Sequence, residues 1–121
     1  MKELILAIAI VESSLNPLAI GKDGEVGYLQ IQNCVIEDVN YFYGYDYEPE
    51  DRQCKQRSIE IFTYYVRHWG AYYERKTGNP LTQRVICDIW NGGATAPLRK
   101  ETNSKLKKNL DRYWKKVKGN L

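Results

Sequence analysis

The chain has 121 residues, room for one compact domain, and folding at this size buries roughly two-thirds of the surface exposed by the unfolded chain, so a core forms without staples. Lys and Arg number 18 against 15 Asp and Glu, and a net charge of +3 selects neither an anionic nor a neutral partner. Cys34, Cys54 and Cys87 form no C-x-x-C pair, no histidine cluster accompanies them, and the single His68 is remote from each, which argues against a zinc site and a Cys–His nucleophile.

In chain order, apolar residues from Leu4 to Val11 follow Lys2, a pattern that invites a secretory-signal reading. The run is too short for one, and far below the roughly 18 apolar residues that span a membrane. No export signal in this chain and no membrane insertion are therefore expected. Lys2 to Ser13 reads as a helix apolar nearly all round, hence a helix through the core, with Glu12 its only interior acid. Asn16-Pro17 stops it, and Gly21 to Gly27 reads as a glycine-rich loop. Gln32 to Val39 suits a short helix, and the tyrosine-rich Asn40 to Asp51 an ordered loop.

From about Asp51 to Lys76, Phe62, Tyr65, Val66, Trp69, Tyr72 and Tyr73 recur at helical spacing and predict the longest helix, with His68 on its solvated face. Gly78-Asn79-Pro80 breaks it. Leu81, Val85, Ile86, Ile89 and Trp90 mark the next helix, which stops at Asn91-Gly92-Gly93. A last helix from near Thr102 or Asn103 aligns Leu106, Leu110, Tyr113 and Val117. Between Arg99 and Lys118, nine basic residues face only Glu101 and Asp111, a cationic segment suited to nucleic acid, anionic lipid or an anionic wall, but no nucleic-acid motif accompanies it. The expectation is a mostly α single domain over residues 1–121, with minor or no β-structure, no cofactor, no metal and a monomeric state. The odd cysteine count favours free buried thiols, one disulfide plus one thiol being the alternative.

A carboxyl group at the end of an apolar helix, beside a glycine-rich loop, can be held partly desolvated next to an open cleft. Glu12 has that setting, and desolvation would raise its pKa toward that of a proton donor to a glycosidic oxygen. Taken alone, a glutamate near a helix end reads equally as a cap or surface residue.

Three separated segments change that balance. Glu12-Ser13, Gly27-Tyr28-Leu29-Gln30-Ile31 and Ile89-Trp90-Asn91-Gly92-Gly93 resemble, in order, the signature blocks of the soluble lytic transglycosylases and goose-type lysozymes: Glu-Ser, Gly-Leu-Met-Gln and Ala-Tyr-Asn-Ala-Gly. Asn16-Pro17-Leu18-Ala19 matches between the first two, and Tyr113 four residues before Val117 matches a tyrosine and valine on the family's last helix. The resemblance implies a lysozyme-like α domain in which Glu12 protonates the β-1,4 bond between N-acetylmuramic acid and N-acetylglucosamine of bacterial peptidoglycan. It also implies that Ser13 and Gln30 hydrogen-bond around the acid or the sugar. Tyr28 and Leu29 stand for the family's Leu and Met as an apolar wall, Trp90 offers a stacking face in place of a tyrosine, Asn91 meets an acetamido group, and Tyr113 completes the set. Without the other blocks, Gly27 would read as a tight turn and Asn91-Gly92-Gly93 as a helix stop. Tyr41, Tyr43, Tyr45 and Tyr47 alternate, as sugar platforms would.

The resemblance leaves two chemistries. A lytic transglycosylase needs one carboxyl group, because the substrate's own C6 hydroxyl attacks and leaves a 1,6-anhydro ring. Inverting hydrolysis needs a second carboxylate to activate water. The goose-type position for that acid, two residues after the block's glutamine, is Gln32 here, which favours transglycosylation; Asp23 or Glu25 would have to serve otherwise. A non-catalytic wall-binding or virion module is the remaining alternative. A wall enzyme without its own export signal fits a bacteriophage product, released to the periplasm or carried by the virion.

Overall fold

The helical periodicities become an all-α structure, here a computed structural model describing residues 1–121, with six helices, no sheet and 69% of residues helical. The helices are α1 (Lys2–Ser13), α2 (Asn33–Tyr43), α3 (Lys55–Thr77), α4 (Gln83–Gly92), the short α5 (Ala96–Arg99) and α6 (Ser104–Lys118), with 3₁₀ turns at Pro49–Gln53 and Lys100–Thr102. The chain divides into two compact units, Met1–Tyr65 and Val66–Leu121, with the boundary inside α3.

In the first unit, α1 buries Leu4, Ile5, Ala7, Ile8 and Ala9. It is not enclosed on every side as expected. Leu6 is 48% exposed, with Lys2 on the same open face one turn earlier. The helix ends on two left-handed residues: Ser14 N–H donates to the Ile10 carbonyl (3.1 Å) and Leu15 N–H reaches back to that of Ala9 (3.3 Å), with a serine at the left-handed position where glycine is usual. Asn16 then closes a tight turn by accepting the Leu18 N–H on its side chain at 2.9 Å. The following loop holds two isolated antiparallel bridges, Ile20 with Val26 and Val26 with Ile31.

Helix α2 runs four residues past the expected end at Val39, because Val35, Ile36 and Val39 are buried along one face and no breaker precedes Gly44. The tyrosine-rich stretch therefore begins as helix. Its remainder is tied back by Asn40, whose side chain accepts from Tyr47 N–H (2.9 Å) and donates to the Tyr47 carbonyl (3.0 Å). The helix expected from Asp51 starts at Lys55, since Pro49 opens a separate 3₁₀ turn that ends at Gln53.

In the second unit, α4 packs against α5 and α6. Thr82 caps α4 by accepting the Val85 N–H (3.2 Å), which leaves Leu81 outside the helix expected to include it. Asn103 caps α6 by accepting from Leu106 N–H at 3.1 Å. A Cβ on Gly92 would lie 2.7 Å from Ala96 Cβ and 2.8 Å from Leu110 Cδ2, so the third sequence block ends where α4 leaves no room for a side chain against α5 and α6. His68, expected on a solvated face, is half-buried with its ring edge-on to Trp69. All three cysteines are free, but only Cys87 is buried; Cys34 and Cys54 are exposed, as polar neighbours and helix starts place them outside the core. No helix is long and apolar enough to cross a membrane.

Candidate active site

Glu12 sits in the last turn of α1, half-buried, one residue before Ser13 and two before the first of two consecutive left-handed residues. A left-handed backbone costs a side-chain-bearing residue on the order of 1–3 kcal/mol and persists only where the surroundings hold it. The non-glycine residues in that conformation are Ser14 (φ 53°), Leu15 (φ 68°) and Gln30 (φ 54°). All of them lie beside the first sequence block or within the second. Strain is thus concentrated on the segments that the sequence singled out for chemistry.

A direct bond joins those two segments. Ser13 Oγ donates to the Tyr28 carbonyl at 2.7 Å and to that of Ala9 at 3.2 Å, so the end of α1 is fixed to the Gly27–Ile31 loop. Gly27 has φ 93°, and a Cβ there would run into the backbone carbonyl of Arg52, so the position requires glycine on two counts. The loop closes on itself through the Val26–Ile31 pair, with N–H···O bonds of 3.1 and 2.9 Å.

Gln30 is half-buried, and its side-chain nitrogen donates to the carbonyls of Ala19 (3.1 Å) and Gly27 (3.0 Å). An amide nitrogen has two hydrogens, and both are engaged. The amide is thereby oriented, and its oxygen is the atom available to accept from a ligand. Tyr28 and Leu29 are 4% and 0% exposed, so their side chains support the loop from inside, with Lys55 Nζ 5.3 Å from the centre of the Tyr28 ring.

The third block lies in the second unit. Trp90 is half-buried near the end of α4, Asn91 is exposed, and Tyr113 on α6 is 7% exposed. Of the alternating tyrosines, Tyr41 is 82% exposed and rests edge-on against Phe42, whereas Tyr43, Tyr45, Tyr47 and Tyr64 form one aromatic cluster. A cavity of about 710 Å³ opens beside that cluster, walled by Tyr45, Tyr47, Glu48, Arg57 and Glu60 among others, and none of the motif residues lines it.

A transglycosylase SLT domain model matches residues 1–109. The chain belongs to the SLT transglycosylase family. Membership in it supports peptidoglycan lytic transglycosylase activity in general, of the transglycosylase-type glycosidase class, with peptidoglycan as substrate and the cell wall as the place of action. The SLT match takes in Glu12-Ser13, the Gly27–Ile31 block and Trp90-Asn91, and it stops before Tyr113.

Two features of this SLT domain went unread in the sequence. Arg52 lies in a polar stretch that reads as solvated, yet it is 8% exposed and bonded to main-chain carbonyls. In the second unit, Asp88 is fully buried between Arg84 and Lys100, each at 2.9 Å, and Arg84 also reaches Asp111 at 2.6 Å. The spacing of Arg84 and Asp88, four residues apart on a helix, was the one available hint of that network.

Proposed function

We propose that this chain is a lytic transglycosylase that cleaves between N-acetylmuramic acid and N-acetylglucosamine, with Glu12 as acid and then base. The observation that carries the reading is the Ser13 Oγ bond to the Tyr28 carbonyl, which ties the acid's helix end to the loop that orients Gln30. In this reading Glu12 gives its proton to the glycosidic oxygen as the bond to the anomeric carbon breaks. Its carboxylate then takes the proton of the C6 hydroxyl, whose oxygen closes the 1,6-anhydro ring. The Gln30 oxygen accepts from the sugar or its acetamido N–H, and Trp90 and Asn91 provide stacking and acetamido contacts. Tyr28, Leu29 and Tyr113, being buried, act by supporting the surface that meets the sugar.

Inverting hydrolysis would ask a second carboxylate to stand roughly 6.5–9.5 Å from Glu12 with water between. Of the two loop acids, Asp23 is exposed and Glu25 accepts a hydrogen bond from Asp23 N–H at 3.3 Å, while Gln32 is neutral and exposed. Transglycosylation needs none of the three. Glu12→Gln is expected to keep its circular dichroism spectrum and to clear peptidoglycan suspensions at least about 10²-fold more slowly, the usual contribution of a positioned proton donor. Wild-type products should end in 1,6-anhydro-muramyl residues, seen by mass spectrometry as fragments lacking one water. Reducing ends, together with activity lost in Asp23→Asn or Glu25→Gln, would make the enzyme hydrolytic instead.

A further inference from the structure

We propose that Arg52 is a positioning residue for the reaction, setting the Gln30 carbonyl oxygen through the main chain of the Gly24–Ile31 loop; this rests on the reading above that Gln30 meets the sugar. Arg52 Nη1 donates to the carbonyls of Ile31 (2.9 Å) and Gly24 (3.3 Å), the two sides of the loop, and Nε donates to the Pro49 carbonyl at 2.9 Å. Its own carbonyl accepts from the buried Ser58 hydroxyl at 2.8 Å and occupies the space a Gly27 side chain would need.

A buried arginine ordinarily pairs with a carboxylate, because an enclosed charge without one is costly. Here the guanidinium hydrogen bonds go to backbone oxygens, and these lie on either side of the block that carries Gln30. A guanidinium is a planar fork with donors in fixed directions, so it fixes carbonyls in position as well as neutralising them. Ile31 follows Gln30 directly, and Gln30 is held at φ 54°, a conformation that relaxes once its surroundings loosen. Loss of the fork therefore moves the Gln30 oxygen without removing any group that touches substrate.

Arg52→Lys keeps the charge and loses the fork. It is expected to fold, to lower kcat/KM on peptidoglycan about 10-fold or more, and to be non-additive with Gln30→Ala, the double variant being no worse than the poorer single one. Amide hydrogen exchange at Gln30 and Ile31 should quicken in Arg52→Lys while the amides of α4 and α6 keep their wild-type rates. Unchanged kcat/KM, additive losses or unchanged exchange at Ile31 would each overturn the assignment. If Arg52→Lys does not fold, Ser58→Ala, which frees the Arg52 carbonyl alone, carries the same double-variant and exchange comparisons. A wild type that fails to clear peptidoglycan sinks the functional reading, and the exchange result then decides by itself whether Arg52 sets the loop.

Discussion

At the scale of single residues, the glycine of the second block shows how a motif can be dictated by the backbone. Gly27 has φ 93° and no room for a Cβ against the Arg52 carbonyl. A side chain in the left-handed region costs about 1–3 kcal/mol, and forcing atoms into a packed site costs a similar amount. Gly27→Ala is therefore expected to lose at least about 2 kcal/mol of stability, read from urea unfolding. Gly24→Ala, at φ 85° but with open space around it, should lose only the conformational part. Equal losses in the two variants would show that the Arg52 carbonyl yields. Glu12 and Gln30 stood out as candidates because the chemistry proposed for them depends on residue type and order. Arg52 did not, because nothing about an arginine in a polar stretch says that the chain will fold carbonyls around it.

At the scale of elements, helix starts and stops were legible wherever a local device fixes them. Asn16 after α1, Gly78-Asn79-Pro80 after α3 and Gly93 after α4 mark their ends by backbone chemistry that needs no distant partner. The misplaced boundaries are those that packing or capping sets. Helix α2 continues to Gly44 because its buried face permits it, α4 waits for Thr82, and α5 forms on Pro97 in a stretch that showed no periodicity. Gly92 tests packing against propensity. Helix preference alone favours Gly92→Ala by up to about 1 kcal/mol, but the new methyl would stand 2.7 Å from Ala96 Cβ, which cannot rotate away. Overpacking typically costs about 1–3 kcal/mol, so a net loss of roughly 1 kcal/mol is expected in thermal melts followed at 222 nm. A stabilised variant would show that α4 can move off α5 and α6 without cost.

At the scale of the whole molecule, ionisable groups of both kinds set the pH range over which the fold holds. Burial pushes the Tyr65 hydroxyl up to about 12, with the nearby Asp38 and Cys34 adding to the effect. Tyr47 is also raised, first by burial and then by its 2.8 Å bond to Glu60. An unfolded tyrosine titrates near pH 10, so above that the unfolded chain sheds protons that the folded chain keeps. Stability that is full below about pH 10 is thus lost as pH climbs toward the folded values. The acid side has the opposite sign. Asp111 is lowered by its bond to Arg84, and for Asp51 the upward push of burial is outweighed by Glu48 N–H and Arg57, so both contribute stability above the ordinary carboxylate range that is lost as pH falls. The melting temperature is therefore expected to be flat from about pH 5 to about pH 10 and to fall on either side. Absorbance of tyrosinate should show Tyr47 and Tyr65 ionising only as the chain unfolds. Tyr65→Phe, which has no proton to lose, should soften the alkaline fall; an unchanged fall in that variant would contradict the assignment.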